Sequence, residues 1–453
     1  MIPSTDNFFV KILPKQSALF ENLSFVFLGL FFILLPTGLF IPIAPPLAEY
    51  IFTPYVTPGF FLCDLGLVTA VISLAFKPGR TTEKTSFPIF LFSPLALFII
   101  LAIATASFAL SPSLALLTTL RWAAAVAVFF VIWISSASPK KIAIFLLASL
   151  SLEAVIAIGQ AIFQSPLGLP GEMLAAPGQP GSAMIYFSGQ SWLRVSGLTF
   201  HPNVLGGFFT VGLLVSLPLI KHWLARVGWW LLAAGLFLTF SRSAWLAAIV
   251  TIPLMVWWLA KQKPEMRRSL AVTLGTTLLT AAAAGIFLAG PLLTRLQPFA
   301  SLSESTSISG RGELIAIAMR IIAQSPINGV GAGNFPLAML PYPTMDPPHY
   351  VHNVPLLLAA EIGLAGGFLW YWIWLFPVFQ AARFIKDHDP WPIVFSAALF
   401  AFGLIALWDS YPWALASGRY LLVVLLAGYS VSANKPTSLS KNQNEFSQSD
   451  TQV

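Results

Sequence analysis

Charge is what this sequence has least of. Only 9% of its 453 residues are Asp, Glu, Lys or Arg, against 57% hydrophobic. A soluble domain carries roughly 25% charged residues. So few charges cannot cover a water-facing surface, which excludes a soluble enzyme and a disordered chain. Cysteine is nearly absent as well. The single Cys63 excludes an intrachain disulfide scaffold and a CxxC metal site. No basic stretch interleaved with aromatics is present either. The net charge of +7 is therefore read as basic loops flanking a membrane, with no nucleic acid as partner.

What is present is a succession of apolar runs of about 20 residues, the length of a bilayer-crossing helix. Mean hydropathy is +0.81. The sequence predicts an all-α polytopic membrane protein with about twelve transmembrane helices. Their approximate spans are 24–45, 58–76, 88–110, 114–136, 142–164, 203–220, 227–241, 243–260, 269–292, 354–382, 391–408 and 413–432. The first run is too long for a cleaved signal, and no small-x-small site follows it. The organisation reads as helices one to nine over 1–292, with an outer loop at 166–200. A large outer loop follows at 293–353, between helices nine and ten. Helices ten to twelve occupy 354–432, and a polar, disordered cytoplasmic tail occupies 433–453.

Basic residues set the direction. With both termini inside, all twelve lysines lie in inner loops or flank the ends, from Lys11 and Lys15 to Lys435 and Lys441. The outer face then holds arginine without lysine: Arg121, Arg194, Arg242, Arg295, Arg311, Arg320 and Arg419. Arginine grips phosphate with a planar fork, whereas lysine is a point charge. Intramembrane charges are commonly functional, although an arginine also pairs with an acid or snorkels to head groups.

Several stretches combine such residues. In LRVSGLTFHPNVLGG (193–207), Arg194, His201 and Asn203 gather where a span begins, with Pro202 suited to its first turn. In FSRSAWLA (240–247), Arg242 sits in a Ser-Arg-Ser turn between two short spans. In ISGRGELI (308–315), the spacing predicts an amphipathic helix over 311–324, capped by Ser309 or Gly310. Leu314, Ile315, Ala318, Ile321 and Ile322 form its apolar stripe. Arg311 would then stand at a helix N-terminus, which attracts anions. SPINGVGAGNF (325–335) lacks the Lys and Ser/Thr of a Walker loop and reads as a turn allowing close backbone approach.

The densest cluster is DPPHYVHNVPLLLAAEIGLAGG (346–367). Asp346, His349 and His352 are three apart, open to a metal or to a general base, but two prolines break the metal spacing. Glu361 lies inside an apolar run and needs a partner, such as an outer arginine. Gly363, Gly366 and Gly367 permit close helix packing. In WDSYPW (408–413), Asp409 is placed to orient an arginine or a histidine, or to form a turn.

In their order along 190–415, these motifs resemble the O-antigen ligase family, which includes O-antigen polymerases and O-linked oligosaccharyltransferases. The most specific likeness is His352-Asn353, nine residues, Gly363, two residues, Gly366. The Ser-Arg-Ser turn, Gly310-Arg311, the Pro326 to Gly331 run and Asp409 are similar too. The resemblance implies a C-type glycosyltransferase-like architecture in the bacterial inner membrane, with its active site on the periplasmic face. It implies a metal-independent, inverting enzyme without cofactor. The donor would be a glycan on polyprenyl (undecaprenyl) diphosphate. The acceptor would be a glycolipid (lipid A–core), a glycan or a protein, and membrane lipid would surround both. Arg194, Arg242 and Arg311 would meet the diphosphate, and His352 would be the base. Asn353, Glu361 and Asp409 would support them. His201 and His349 are extra histidines able to share the base role. Ligase and polymerase remain open, and a small-anion (bicarbonate-type) transporter is the competing class. The absence of an internal repeat and the gathering of polar residues at one face speak against transport.

The orientation is testable by thiol labelling of intact cells in a Cys63→Ala background. A cysteine replacing Ser188 should react with a membrane-impermeant reagent, and one replacing Lys263 should not. The reverse pattern would invert the topology.

Overall fold

The computed structural model describes residues 22–47, 54–75, 88–135, 137–177, 179, 182–297, 302–342 and 348–433. The expected tail over 433–453 and Asp346 lie outside them, apart from Ala433. Among the described residues, eight helices are long and apolar enough to cross a membrane. Six of them are α3 (Ile89–Ala106), α4 (Pro112–Ser135), α5 (Pro139–Phe163), α6 (Pro202–Ser216, prolonged by a 3₁₀ turn), α8 (Arg242–Gln262) and α9 (Arg267–Phe287). The others are α14 (Leu364–Ala381, likewise prolonged) and α17 (Ala416–Ala433). Four shorter apolar helices join them: α1 (Asn22–Leu34), α2 (Leu62–Ala75), α7 (Trp223–Leu238) and α15 (Trp391–Ala406). Short helices α10 (Ala289–Leu296), α12 (Phe335–Ala338), α13 (Val354–Ile362) and α16 (Tyr411–Ala414) complete the set, with α11 (Leu302–Gln324). The protein is an all-α polytopic membrane protein.

The most buried spans are α6 and α17, at 94% and 89% of their apolar windows, which makes them the centre of the bundle. Helix α6 reaches that position through small residues. A Cβ on Gly206 would meet Ser241 and Ala244, one on Gly207 would meet the Tyr411 hydroxyl, and one on Gly212 would meet Leu150 and Leu232. Residues of α5, α7, α8 and α16 therefore press directly on its backbone. By contrast α9 is only 11% buried, so one side of the bundle is open along it.

The span expected at 354–382 is broken. Gly363, at φ +79°, separates α13 from α14, and a Cβ there would collide with the Ile327 and Pro326 carbonyls. The glycine-rich run fills the break. Val330 N donates to Ala360 O (3.0 Å), Gly331 N to Glu361 O (2.8 Å) and Leu364 N to Pro326 O (2.8 Å). The carbonyls that end α13 are thus satisfied by a backbone strap. The same strap takes Leu110 N on Val330 O (3.1 Å) and Ser111 N on Asn334 Oδ1 (2.7 Å). The close backbone approach expected of this run is present, since Gly329, Gly331 and Gly333 all have positive φ.

Two other expectations change. Helix α11 starts at Leu302, not at 311, so neither Ser309 nor Gly310 caps it and Arg311 lies within the helix. Glycines 310 and 312 each cost roughly 1 kcal/mol in a helix, and packing overrides that. Its buried stripe is Leu314, Ile317, Ala318, Ile321 and Ile322, while Ile315 is exposed. This stripe packs on α13. The segment 166–200, expected as an outer loop, also holds an unforeseen antiparallel hairpin, β3 (Met184–Phe187) with β4 (Gln190–Leu193). Its turn, Ser188-Gly189, has both residues at positive φ, the geometry of a tight two-residue hairpin. A second small pair, β1 (Phe40–Pro42) with β2 (Gly59–Phe61), lies between α1 and α2.

Gly329→Val should be severely destabilising, because φ is +63° and the new Cβ would strike the Glu361 backbone. Gly275→Ala, in open space on α9, should be neutral or stabilising by up to about 1 kcal/mol. Melting temperatures of the two variants in detergent would check the contrast.

Candidate functional site

Residues far apart in the chain converge beside the start of α6. His201 is its N-cap, with Nδ1 accepting from Asn203 N at 3.1 Å, and Pro202 fills the first position. The loop before it is pinned from α5. Gln160 Oε1 accepts from Ser196 N (3.1 Å) and Gly197 N (2.9 Å), and Glu153 Oε2 accepts from Leu198 N (2.8 Å). Both α5 side chains are buried. The approach requires Gly197, where a Cβ would overlap the Glu153 carboxylate.

From that loop a polar chain runs through the site. Arg194 Nη2 donates to Asn203 Oδ1 at 2.6 Å. Asn203 Nδ2 donates to Asp409 Oδ2 at 2.8 Å. The other oxygen of that carboxylate, Oδ1, lies 3.4 Å from His352 Nδ1, within ion-pair reach but off ideal hydrogen-bond geometry. Burial alone would raise the Asp409 pKa. The contact and charge of His352, with the charges of Arg311 and His201, outweigh burial and hold it below the ordinary carboxylate value. His201 shifts the other way for an imidazolium. Burial first, then the Arg194 charge, push it down to about 3, against an opposing pull from Asp409.

Arg242 heads α8 and is half-buried. The turn before it is unusual, because Phe240 sits at φ +49°. Two arginines grip that turn by its carbonyls. Arg194 Nε donates to Thr239 O and Arg295 Nε to Phe240 O, both at 3.0 Å. Phe240 is fully buried and packs with Ile185 of the hairpin and Leu288. Arg194 and Arg295 are each 7% exposed, so a large part of their role is to fix the turn that presents Arg242. Arg311 is half-buried on the same face of α11 as the stripe that meets α13, and its charge reaches Asp409.

The remaining expected residues are held by backbone. Asn353 caps α13, with Oδ1 accepting from Leu356 N (2.9 Å), and its Nδ2 donates to Leu407 O (3.0 Å). Glu361 is 2% exposed and accepts from Phe335 N (3.2 Å), so it ties the glycine-rich run to α13 rather than an outer arginine. Among the described residues it forms no ion pair. His349 places its ring 5.5 Å from that of His352, tilted by 55°.

Sequence reasoning placed Arg295 on the outer face but not beside Arg242, 53 residues away by number (295 minus 242). Its carbonyl partner is set only by the fold. Gln160 and Glu153 were missed as well. The available signal was a Glu and a Gln seven apart inside an apolar run, a spacing of two helical turns on one face.

An apolar groove of about 370 Å³ lies between α7, α8, α9 and α10. Trp245, three residues past Arg242, and Leu292 and Leu296, either side of Arg295, line it. Trp229, Ile252 and Leu278 line it as well.

Comparison with known proteins agrees with this picture. No curated protein matches the chain. Residues 227–371 match the family model described as O-antigen ligase, a stretch that holds Arg242, Arg295, Arg311 and His352. Over that stretch, about a third of its length, the chain is similar to the O-antigen ligase family, which supports a ligase- or polymerase-type membrane glycan transferase.

Proposed function

We propose that this enzyme transfers a glycan from a polyprenyl-diphosphate donor to an acceptor hydroxyl at the periplasmic face of the bacterial inner membrane. The observation that carries the reading is the Asp409–His352 contact, with Arg194, Arg295 and Arg311 in electrostatic reach of Asp409 or His201 and Arg242 directly after the turn that Arg194 and Arg295 hold. Asp409 faces Nδ1 of His352, which leaves Nε2 as the base. The acceptor O–H gives its proton to Nε2 as the oxygen attacks the anomeric carbon. The bond from that carbon to the phosphate oxygen breaks, and the diphosphate leaves with the electron pair. Attack opposite the leaving group inverts the anomeric centre. Arg242 and Arg311 stabilise the departing charge, a task that fixed cations perform without reorganisation. Arg194 and Arg295 add their field and hold the Arg242 turn. The polyprenyl tail lies in the apolar groove lined by Trp245, Leu292 and Leu296, which are close in sequence to Arg242 and Arg295.

His201 takes a different part. Its Nδ1 already accepts from Asn203 N, so the neutral ring carries its proton on Nε2 and acts as a donor, not a base. Asn203 is the bridge that transmits Arg194 to Asp409.

The direct test is transfer by purified protein in detergent, with a lipid-diphosphate-linked glycan, a panel of glycolipid, glycan and protein acceptors, and EDTA present. His352→Ala should lower kcat by about 10²–10⁴. Arg242→Ala should lower it by about 10²–10³. His352→Ala with Asp409→Asn should be no slower than His352→Ala alone, because the two act as a unit. Additive losses would break the pairing. Acid should also expose His201. Its folded value of about 3 lies below the ordinary 6.5, so the unfolded chain takes up the proton first. Stability then falls as pH drops from 6.5 toward about 3. His201→Gln should flatten that fall in a melting-temperature series.

A further inference from the structure

The outer arginines divide into two groups, and Arg121 and Arg419 stand apart from the site above. They line a small enclosed cavity among α4, α13, α16 and α17, together with Tyr55, Trp122, Tyr350 and Trp413. Its free space suits a single water-sized occupant, too small for a diphosphate or a sugar.

The chemistry of the lining is one-sided. Arg121 donates from Nη1 to Tyr55 O and from Nη2 to Thr57 O, both at 2.9 Å. Arg419 Nη1 donates to Ala414 O (2.6 Å) and Trp413 O (3.3 Å). Carbonyls satisfy donors but carry no net charge. Asp64 is within electrostatic reach of both guanidinium groups. Yet it accepts from Tyr420 OH (2.6 Å) and Phe61 N (2.7 Å), and it pairs with neither arginine among the described residues. Among the described residues the acids near these two cations are Asp64 and Glu361, and each accepts from donors outside the cavity. Glu361 lines the cavity, but its Oε1 accepts from Phe335 N.

Donors are in surplus as well. Arg419 Nε, Trp122 Nε1 and Trp413 Nε1 are buried and have no hydrogen-bond partner among the described residues. Arg419 is 3% exposed, and its guanidinium lies 5.9 Å from the Trp122 ring centroid. The Trp122 and Trp413 rings are 3.9 Å apart, which puts their N–H groups in one neighbourhood. Arginine and tryptophan offer donors only. An occupant that only accepts hydrogen bonds fits the size of the cavity and its unpartnered donors together.

We propose that this cavity binds one small inorganic anion of the halide class between Arg121 and Arg419. The anion fastens α4 to α17 and backs Tyr350, two residues before His352. It is separate from the diphosphate site, and its test does not depend on transfer activity.

Bromide introduced into crystals of the full-length protein reads the site in the wild type. An anomalous peak between Arg121 and Arg419 is expected, and its absence from the cavity would overturn the proposal in favour of ordered water. Thermal unfolding in detergent, with chloride titrated against gluconate at constant ionic strength, reads the same site in solution. The midpoint should climb and saturate with chloride. That climb should vanish in Arg419→Gln. Trp122→Phe keeps a ring but deletes one donor, and should raise the half-saturating chloride concentration several-fold. Equal wild-type midpoints in the two salts would contradict the proposal.

Discussion

The Asp409 carboxylate is the point on which the site depends. A buried carboxylate is costly unless paired, and this one is paired on both oxygens. Asn203 donates to one and His352 faces the other. It and its two partners come from three separate parts of the chain, and the Asn203 link alone joins residues 206 apart in sequence. The loop that opens α6, the segment that opens α13 and the turn after α15 therefore share one charge. Removing that charge leaves a histidine without an orienting group and an arginine–asparagine pair without its terminus.

Around it the protein separates two uses of arginine. Arg194 and Arg295 are almost fully buried and bind carbonyls at 239 and 240, where α7 ends. Cations suit that end of a helix. They hold a residue at positive φ in place, and so aim Arg242. Arg242 and Arg311 are half-buried, placed where charge can meet an incoming group. The glycine-rich strap does comparable work on the other side, closing the α13–α14 break so that His352 and Asn353 begin a short helix with a fixed start.

Much of the fold was legible because a bilayer enforces it. Apolar length, lysine placement and the order of polar motifs all have direct physical causes. The shortfalls have causes too. Ser309 or Gly310 read as the cap of a helix, yet burial of Leu314 and Ala318 on α13 carries α11 through them. Gly363 read as a packing residue within one helix, whereas its positive φ breaks it. Glu361 read as an arginine partner, whereas it binds the backbone of the strap. The Asn203–Asp409 and Arg295–Phe240 contacts join distant segments, and no local pattern announces them. Residue types at the site were therefore readable, while their pairings were not.

The most direct measurement is a structure of the protein in a lipid nanodisc with a non-transferable donor analogue, a glycan on polyprenyl diphosphate through a carbon linkage. The account predicts a diphosphate seated against Arg242 and Arg311, an anomeric carbon facing His352, and a tail between α7 and α8. A diphosphate bound away from those arginines, or a sugar turned away from His352, would contradict it.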